Sequence, residues 1–279
     1  MMDRSVPAAC LIGWPAAHSR SPIIHRYWLR QLGLAGDYRI EAVPPDQFAA
    51  FVARLREHGY VGANVTIPHK EQVLEFSAPD ARARAVGAAN TLWFEGDALR
   101  STNTDVEGFI DNLDASAPGW DRAGEAVVLG AGGSARAVVY GLRERGIARI
   151  HVVNRTSDRA DALRAKFGDA VVPASWNDVG QLVPRAGLLV NTTSLGMKGQ
   201  PPLPLDIGLL PSTAVVADLV YVPLETDLLK ASRARGLRVA DGLGMLLHQA
   251  VRGFALWFGR TPRVTPELRE LVEADLRRG

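Results

Sequence analysis

Cysteine is almost absent from the 279-residue chain. Cys10 stands alone, which excludes an internal disulfide framework and a metal site built from thiolates. Lysine is scarce too: of 32 basic side chains only Lys70, Lys166, Lys198 and Lys230 are lysines. Each therefore raises the question of why arginine, which does not readily give up its proton, does not stand there instead. No apolar run approaches the ~18 residues of a membrane span. The stretch up to Gly13 has no cationic leader ahead of a long apolar segment, so no secretory signal is expected and the cytoplasm is the default compartment. An excess of one charge is also missing. The 32 basic groups against 30 acidic ones leave +2, which points away from nucleic acid or a membrane surface as partner. The histidines show no ligand spacing, so no metal is expected. What is present is ordinary core material, 47% hydrophobic, in a chain long enough for two domains.

The first third alternates strand and helix patterns. Ala8–Gly13, Tyr38–Val43 and Val61–Ile67 read as strands. Ser21-Pro22 reads as an N-cap opening a helix to about Leu32. Asp46–His58 reads as an amphipathic helix closed by Gly59, and His69–Phe76 as a short one behind Pro68. Asp80 caps another helix ending near Gly87, a hairpin turns over Glu95-Gly96-Asp97, and Thr104-Asp105 precede a further helix. The Ala-, Gly- and Pro-containing stretch 115–124 is the candidate passage between domains. Beyond it the strands become continuous apolar runs, Ala126–Leu129, Ile150–Val153, Leu188–Val190 and Ala214–Ala217, separated by helices. That pattern implies a parallel doubly wound sheet covered on both faces. From Gly242 the pattern is helical to the end. The expected class is α/β with two domains: 1–105 plus 242–279 around a mixed, mainly parallel sheet, and 106–241 as a Rossmann-like dinucleotide-binding domain.

Gly130-Ala131-Gly132-Gly133-Ser134-Ala135 follows a buried strand and opens a helix. A Gly-x-Gly-x-x-Ala turn in that context brings backbone N–H groups and a helix N-terminus to a pyrophosphate. The next strand ends in Asn154-Arg155-Thr156, with Arg159 close behind, where an NAD site normally places a carboxylate for the ribose 2′-hydroxyl. Guanidinium groups suit a 2′-phosphate, so NADP(H) is favoured over NAD(H). Asp158 is the exception, one turn into the next helix, where a carboxylate also complements the helix dipole.

The first domain carries polar clusters that a fold does not need. Ser19 and Ser21 sit two apart in the loop before the first helix; Ser21 has a capping role open to it, Ser19 has none. Asn64 and Thr66 alternate with Val65 and Ile67, so if the apolar pair faces the core the polar pair lines a cavity. Lys70 falls at a predicted helix start, where the dipole disfavours a cation. Asn90 and Asp105 flank the hairpin, and Asp105 is equally placed to cap the helix that follows. His18 and His69 read as neighbours rather than catalysts, and Trp257 and Phe258 as packing.

These motifs together resemble the shikimate/quinate dehydrogenase family nearly end to end: His18-Ser-Arg-Ser-Pro22, Asn64-Val-Thr-Ile-Pro-His-Lys70, Gly87-Ala-Ala-Asn-Thr91, Asn103-Thr-Asp105, Gly130–Ala135, Asn154-Arg-Thr156, Asn191-Thr-Thr-Ser-Leu-Gly-Met197 and Asp241-Gly-Leu-Gly-Met245 with Gln249. The resemblance implies reduction of 3-dehydroshikimate by NADPH, with Lys70 and Asp105 as catalytic pair. Ser19 and Ser21 would take the substrate carboxylate, and Asn64, Thr66, Asn90, Asp105 and Gln249 the ring hydroxyls. Gly130–Ala135, Asn154, Arg155, Thr156 and Arg159 would hold NADP(H). Thr192, Ser194, Leu219, Tyr221 and Gly242 fall where the family places nicotinamide and cleft contacts. Ser21, in place of the Thr of quinate-using relatives, favours shikimate. The implied partner is the small substrate alone, with no nucleic acid or membrane, in a monomer or homodimer. The alternatives are an NAD(P)-dependent quinate/shikimate enzyme, an aminoshikimate-type paralogue, a silent NADP-binding regulator and another two-domain dehydrogenase.

Overall fold

The structure, a computed structural model, describes residues 6–17 and 19–278, and the chain divides into two compact units. The first holds the described residues up to Thr104 together with Gln249–Asp275, and the second holds Asp105–His248 with residues 276–278. His18 lies outside the described residues.

In the first unit β1 (Ala8–Gly13) leads through α1 (Ser21–Gln31) to β2 (Asp37–Ala42), and α2 (Phe48–Ala53) leads to β3 (Tyr60–Val65). Then come β4 (Ala78–Pro79), α3 (Ala81–Val86), and the hairpin β5 (Thr91–Glu95) and β6 (Ala98–Thr102). The sheet order is β2-β1-β3-β5-β6-β4. β1 pairs in parallel with β2 and β3, the β3–β5 and β5–β6 pairs are antiparallel, and β4 returns parallel to β6. Alternation along β1 splits the core into two layers. Ala8, Cys10 and Ile12 pack with Phe48, Leu55 and Val73 on one face, and Ala9 and Leu11 with Tyr38 and Trp257 on the other. Each of the large side chains buried there contributes roughly 1.5–3 kcal/mol of transfer free energy.

The expected helix over 46–58 is shorter than the pattern suggests. After Ala53 the chain tightens into turns such as Arg54 N–H to Phe51 O and Leu55 N–H to Val52 O, which still bury Leu55. α3 is capped as expected, with Asp80 Oδ1 accepting from Ala83 N–H and Gly87 left-handed at its end.

The second unit opens with α4 (Asp105–Ser116) and continues β7 (Glu125–Leu129), α5 (Gly133–Glu144), β8 (Arg149–Val153), α6 (Ser157–Phe167) and β9 (Val171–Ala174). After α7 (Val179–Leu182) come β10 (Leu188–Asn191), β11 (Val215–Asp218), α8 (Asp227–Ala234) and β12 (Arg238–Ala240). α9 (Gly242–Phe258) begins in this unit and ends in the first, and α10 (Pro266–Arg278) closes the chain. The sheet order β12-β11-β10-β7-β8-β9 is wholly parallel, the doubly wound arrangement the apolar runs imply. Its faces alternate as well, Ala126 and Val128 in one core, Val127 and Leu129 in the other. Stretch 115–124 is not an open passage. Ala117 and Trp120 are buried in this unit's core, and Trp120 Nε1 donates to Asp114 Oδ1, because an aromatic of that size does better buried than bridging domains. Among the described residues no helix is long and apolar enough to cross a membrane.

Candidate active site

In the first unit Ser21 is the first residue of α1, not its cap. Arg20 occupies the cap position, its guanidinium paired with Asp275 instead of capping the helix, and Ser19 Oγ accepts from Ser21 N–H at 3.2 Å. The capping duty thus falls to Ser19, which the sequence reading excused from it. Ser19 Oγ also donates to Ser21 Oγ at 3.1 Å, so the two hydroxyls form one pair.

β3 stops at Val65, and the following residues turn, with His69 N–H bonded to Thr66 O. This ends the alternation: Val65 is buried, but Ile67 is 71% exposed instead of facing the core. Thr66 sits half-buried just past the strand, its N–H on Ile12 O. Lys70 does not begin an α-helix. It lies half-buried in the turn before the short 3-10 segment Gln72–Phe76, so the dipole argument does not apply to it. Its carbonyl accepts from Ala89 N–H, tying this turn to the segment that carries Asn90. His69 is structural: its ring stacks on Phe48 at 4.1 Å, and Nε2 meets Val43 O at 2.8 Å.

Asn64, Asn90 and Gln249, read from three distant stretches, come together in one buried network. Asn64 Nδ2 donates to Asn90 O and to Thr91 Oγ1, each at 3.1 Å. Asn90 Oδ1 accepts from Thr104 N–H at 2.7 Å and from the hydroxyls of Thr104 and Thr91. Asn90 Nδ2 donates to Gln249 Oε1 at 3.3 Å. Asn103 Nδ2, alongside, donates to Ala88 O. The sequence reading named neither Thr91 nor Thr104 as part of the site, nor Tyr38, whose hydroxyl donates to Asn64 Oδ1 at 2.6 Å.

In the second unit Asp105 is a buried residue of the first turn of α4 rather than its cap, and a carboxylate there complements the helix dipole. Gly130 follows β7 with φ +102, a conformation glycine adopts without strain; a Cβ there would lie 2.7 Å from Thr192 Oγ1. Ala131 is buried, and Ala135, in the first turn of α5, is fully buried. Exposed Gly132 takes the cap position of α5 with no side-chain bond, and Cβ atoms on Gly132 or Gly133 would point into open space. The first turn of a twelve-residue helix, carrying half-buried Ser134, is thereby left open to an anion. Past β8, Asn154 Nδ2 donates to Thr156 O, and Thr156 occupies the cap position of α6 without a side-chain capping bond. Arg155 and Arg159 are exposed, and no ion pair among the described residues engages either. Asp158 lies in the first turn of α6 beside Ser157 Oγ.

The loops after β10 and β11 share an anchor that the motif reading missed, Asp218. Its Oδ1 accepts from Asn191 Nδ2 at 2.9 Å and Val220 N–H at 3.1 Å, and its Oδ2 from Thr226 Oγ1 at 2.7 Å. Burial pushes this carboxyl above its ordinary range against the pull of those bonds. The available signal was a carboxylate ending a continuous apolar run. Around it, Thr192 Oγ1 donates to Leu129 O at 2.7 Å, Ser194 is exposed, and Leu219 N–H donates to Asn191 O. Tyr221 is half-buried. Gly242 opens α9 so close to Leu219 that a Cβ would lie 2.3 Å from the Leu219 carbonyl oxygen.

Family models match in three places: the shikimate dehydrogenase substrate binding domain over residues 11–92, shikimate/quinate 5-dehydrogenase over 120–196, and the shikimate 5'-dehydrogenase C-terminal domain over 242–266. A shikimate dehydrogenase (NADP(+)) of Nitrobacter hamburgensis is 73% identical over 97% of this chain and 95% of its own. The chain belongs to the shikimate dehydrogenase family. Solved members of that family share the fold. The Thermus thermophilus enzyme in complex with NADP(H) and shikimate superposes with a TM-score of 0.84 at 34% identity, covering 98% of this chain and 99% of that one. A related quinate dehydrogenase of Corynebacterium glutamicum in complex with NAD gives 0.89 at 31% identity, covering 96% and 99%.

Proposed function

We propose that the chain catalyses the reversible, NADPH-dependent reduction of 3-dehydroshikimate to shikimate, a step of the shikimate pathway toward chorismate and the aromatic amino acids. The observation that carries this reading is the 73% identity, along almost the whole chain, to a relative named for that NADP-dependent activity. The first unit takes the ring acid and the second takes the nucleotide. The open first turn of α5 receives the pyrophosphate, and Arg155 and Arg159 grasp the 2′-phosphate as bidentate donors. The absence of a carboxylate at the end of β8 favours NADP(H) over NAD(H).

Bound NADPH supplies the hydride to the ketone carbon. Lys70 stabilises the negative charge that develops on the ketone oxygen and delivers the proton to it, a role an arginine fills poorly. Asp105 orients the Lys70 ammonium and a ring hydroxyl. Ser19 and Ser21 turn their hydroxyl protons to the ligand carboxylate, which needs rotation about C–O bonds only. Asn64, Thr66, Asn90 and Gln249 hold the ring hydroxyls, and Thr192, Ser194, Leu219, Tyr221 and Gly242 border the nicotinamide. The enzyme works in the cytoplasm as a monomer or homodimer, which light scattering resolves.

Loss of NADPH absorbance on adding 3-dehydroshikimate tests the reading. Comparable turnover of quinate with NAD, and none of 3-dehydroshikimate with NADPH, would transfer the chain to the quinate-type branch represented by the Corynebacterium enzyme.

A further inference from the structure

We infer that Tyr38 is a positioning residue that locks Asn64 so that it meets the ring ligand only as a hydrogen-bond acceptor. The inference rests on the proposed substrate. Tyr38 lies in β2 and is fully buried. Its ring stacks on His25 at 4.1 Å with planes 11° apart and leans on Trp257 at 5.9 Å. His25 is itself fully buried; Asn64 lies near enough to pull its pKa upward, but neither ring nitrogen makes a hydrogen bond of good geometry. Burial drives its pKa down to about 3, so it is a neutral aromatic plate that holds the phenol in place. The phenol stays protonated because burial raises its pKa further still. Its hydroxyl therefore always has a proton to give, and gives it to Asn64 Oδ1 at 2.6 Å.

The orientation of the Asn64 amide follows from its other partners. The Asn90 carbonyl can only accept, so the atom 3.1 Å from it is Nδ2. The second Nδ2 proton goes to Thr91 Oγ1. Both amide donors are thus spent inside the protein, and one accepting direction on Oδ1 is left over. A ligand group that meets Asn64 must donate, which selects a hydroxyl over an ether, a fluorine or a carbonyl at that ring position. The same phenol also has the Ser21 hydroxyl as a hydrogen-bonding neighbour. One buried hydroxyl thereby sits between a proposed carboxylate contact on α1 and a proposed ring contact on β3.

The test is Tyr38→Phe in the full chain, an isosteric change that removes only the hydroxyl. We expect KM for 3-dehydroshikimate to rise about tenfold, the weight of one hydrogen bond in a buried site. kcat should change less, and KM for NADPH should stay within twofold. In an Asn64→Ala background Tyr38→Phe should lose most of its effect, leaving only what passes through Ser21. Calorimetric binding of the three singly fluorinated shikimates, whose fluorine cannot donate, probes the acceptor role. One of them should lose about as much affinity as Asn64→Ala causes and lose no more in that variant. The inference is overturned by a KM change below twofold, by parallel rises in both KM values, by an undiminished effect in the Asn64→Ala background, or by fluorinated ligands that all bind like shikimate. Failure of the wild type to bind shikimate at all overturns the functional reading, and this inference with it.

Discussion

The cluster proposed to take the ring and the turn proposed to take the nucleotide are built in opposite ways. In the first unit the polar side chains are buried and already bonded to one another: Tyr38 to Asn64, Asn64 to Thr91 and Asn90, Asn90 to Thr104 and Gln249. In the second unit the groups suited to a phosphate are the turn of exposed Gly132 and half-buried Gly133 and the exposed Arg155 and Arg159, with little holding them. A small polyol presents several weak hydroxyls, so its site gains most when the contacting groups are aligned before the ligand arrives, because ordering costs are met during folding. A phosphate is a strong charge, and flexible guanidinium groups reach it without being held in place beforehand. Stability and affinity should therefore be tied together in the first unit and separable in the second.

The largest effect should come from Lys70→Arg. This variant keeps the charge, leaves the fold intact and lowers kcat by about 10²–10⁴, the usual worth of a positioned proton donor, with a smaller change in KM for the ketone. Near-normal turnover would remove proton donation from the proposal. Next is Asn90→Ala, which strands the Thr104 N–H in the interior and takes one acceptor from two threonine hydroxyls that are left with each other. Unfolding in urea should show a loss of about 2–4 kcal/mol together with weakened shikimate binding. Loss of binding at unchanged stability would break the contrast from the first side.

Smaller is the effect of Arg155→Ala with Arg159→Ala. Affinity for NADPH should fall roughly ten- to a hundredfold and for NADH hardly at all, while the urea midpoint stays put, because exposed arginines contribute little to folding. Equal losses for the two nucleotides would take the 2′-phosphate away from these residues.

Smallest near neutral pH, and growing away from it, are the effects of two buried titrating groups, whose signs differ between the units. His25 has a folded pKa of about 3, below its unfolded value. Its contribution is complete above pH ~6.5 and is lost as pH falls toward 3, by up to ~1.4 kcal/mol per unit. Asp218 has a raised folded pKa. Its contribution is complete below the ordinary carboxylate range and is lost as pH rises through the raised value. In urea titrations across pH, His25→Phe should flatten the acid limb, and Asp218→Asn should flatten the opposing slope. An acid limb unaltered in His25→Phe would show that the ring is not the group protonated on unfolding.

Much of the second unit was legible in the chain itself. Buried parallel strands need apolar residues on both faces, so β7, β8, β10 and β11 stand out as runs, and Gly130–Ala135 follows the first of them. β9 and β12 escaped because edge strands are short and half-solvated, and β9 even tolerates Pro173. In the first unit the motifs marked Asn64, Asn90 and Gln249. Local rules failed for Ser19, Lys70 and Ile67, where the backbone leaves the regular element the pattern predicts.

By itself the sequence determined the class of fold, the glycine-rich turn after β7 and the rarity that singles out Lys70, since these depend on periodicity, glycine spacing and side-chain chemistry. Only the tertiary structure decided which polar groups bond to which. Tyr38, Asn64 and Asn90 meet because β2, β3 and the segment before β5 lie in one sheet region, and Asp218 meets Thr226 across a loop. Hydrogen bonds act over about 3 Å, and no linear spacing encodes which distant residues the packing of a sheet will bring within that range.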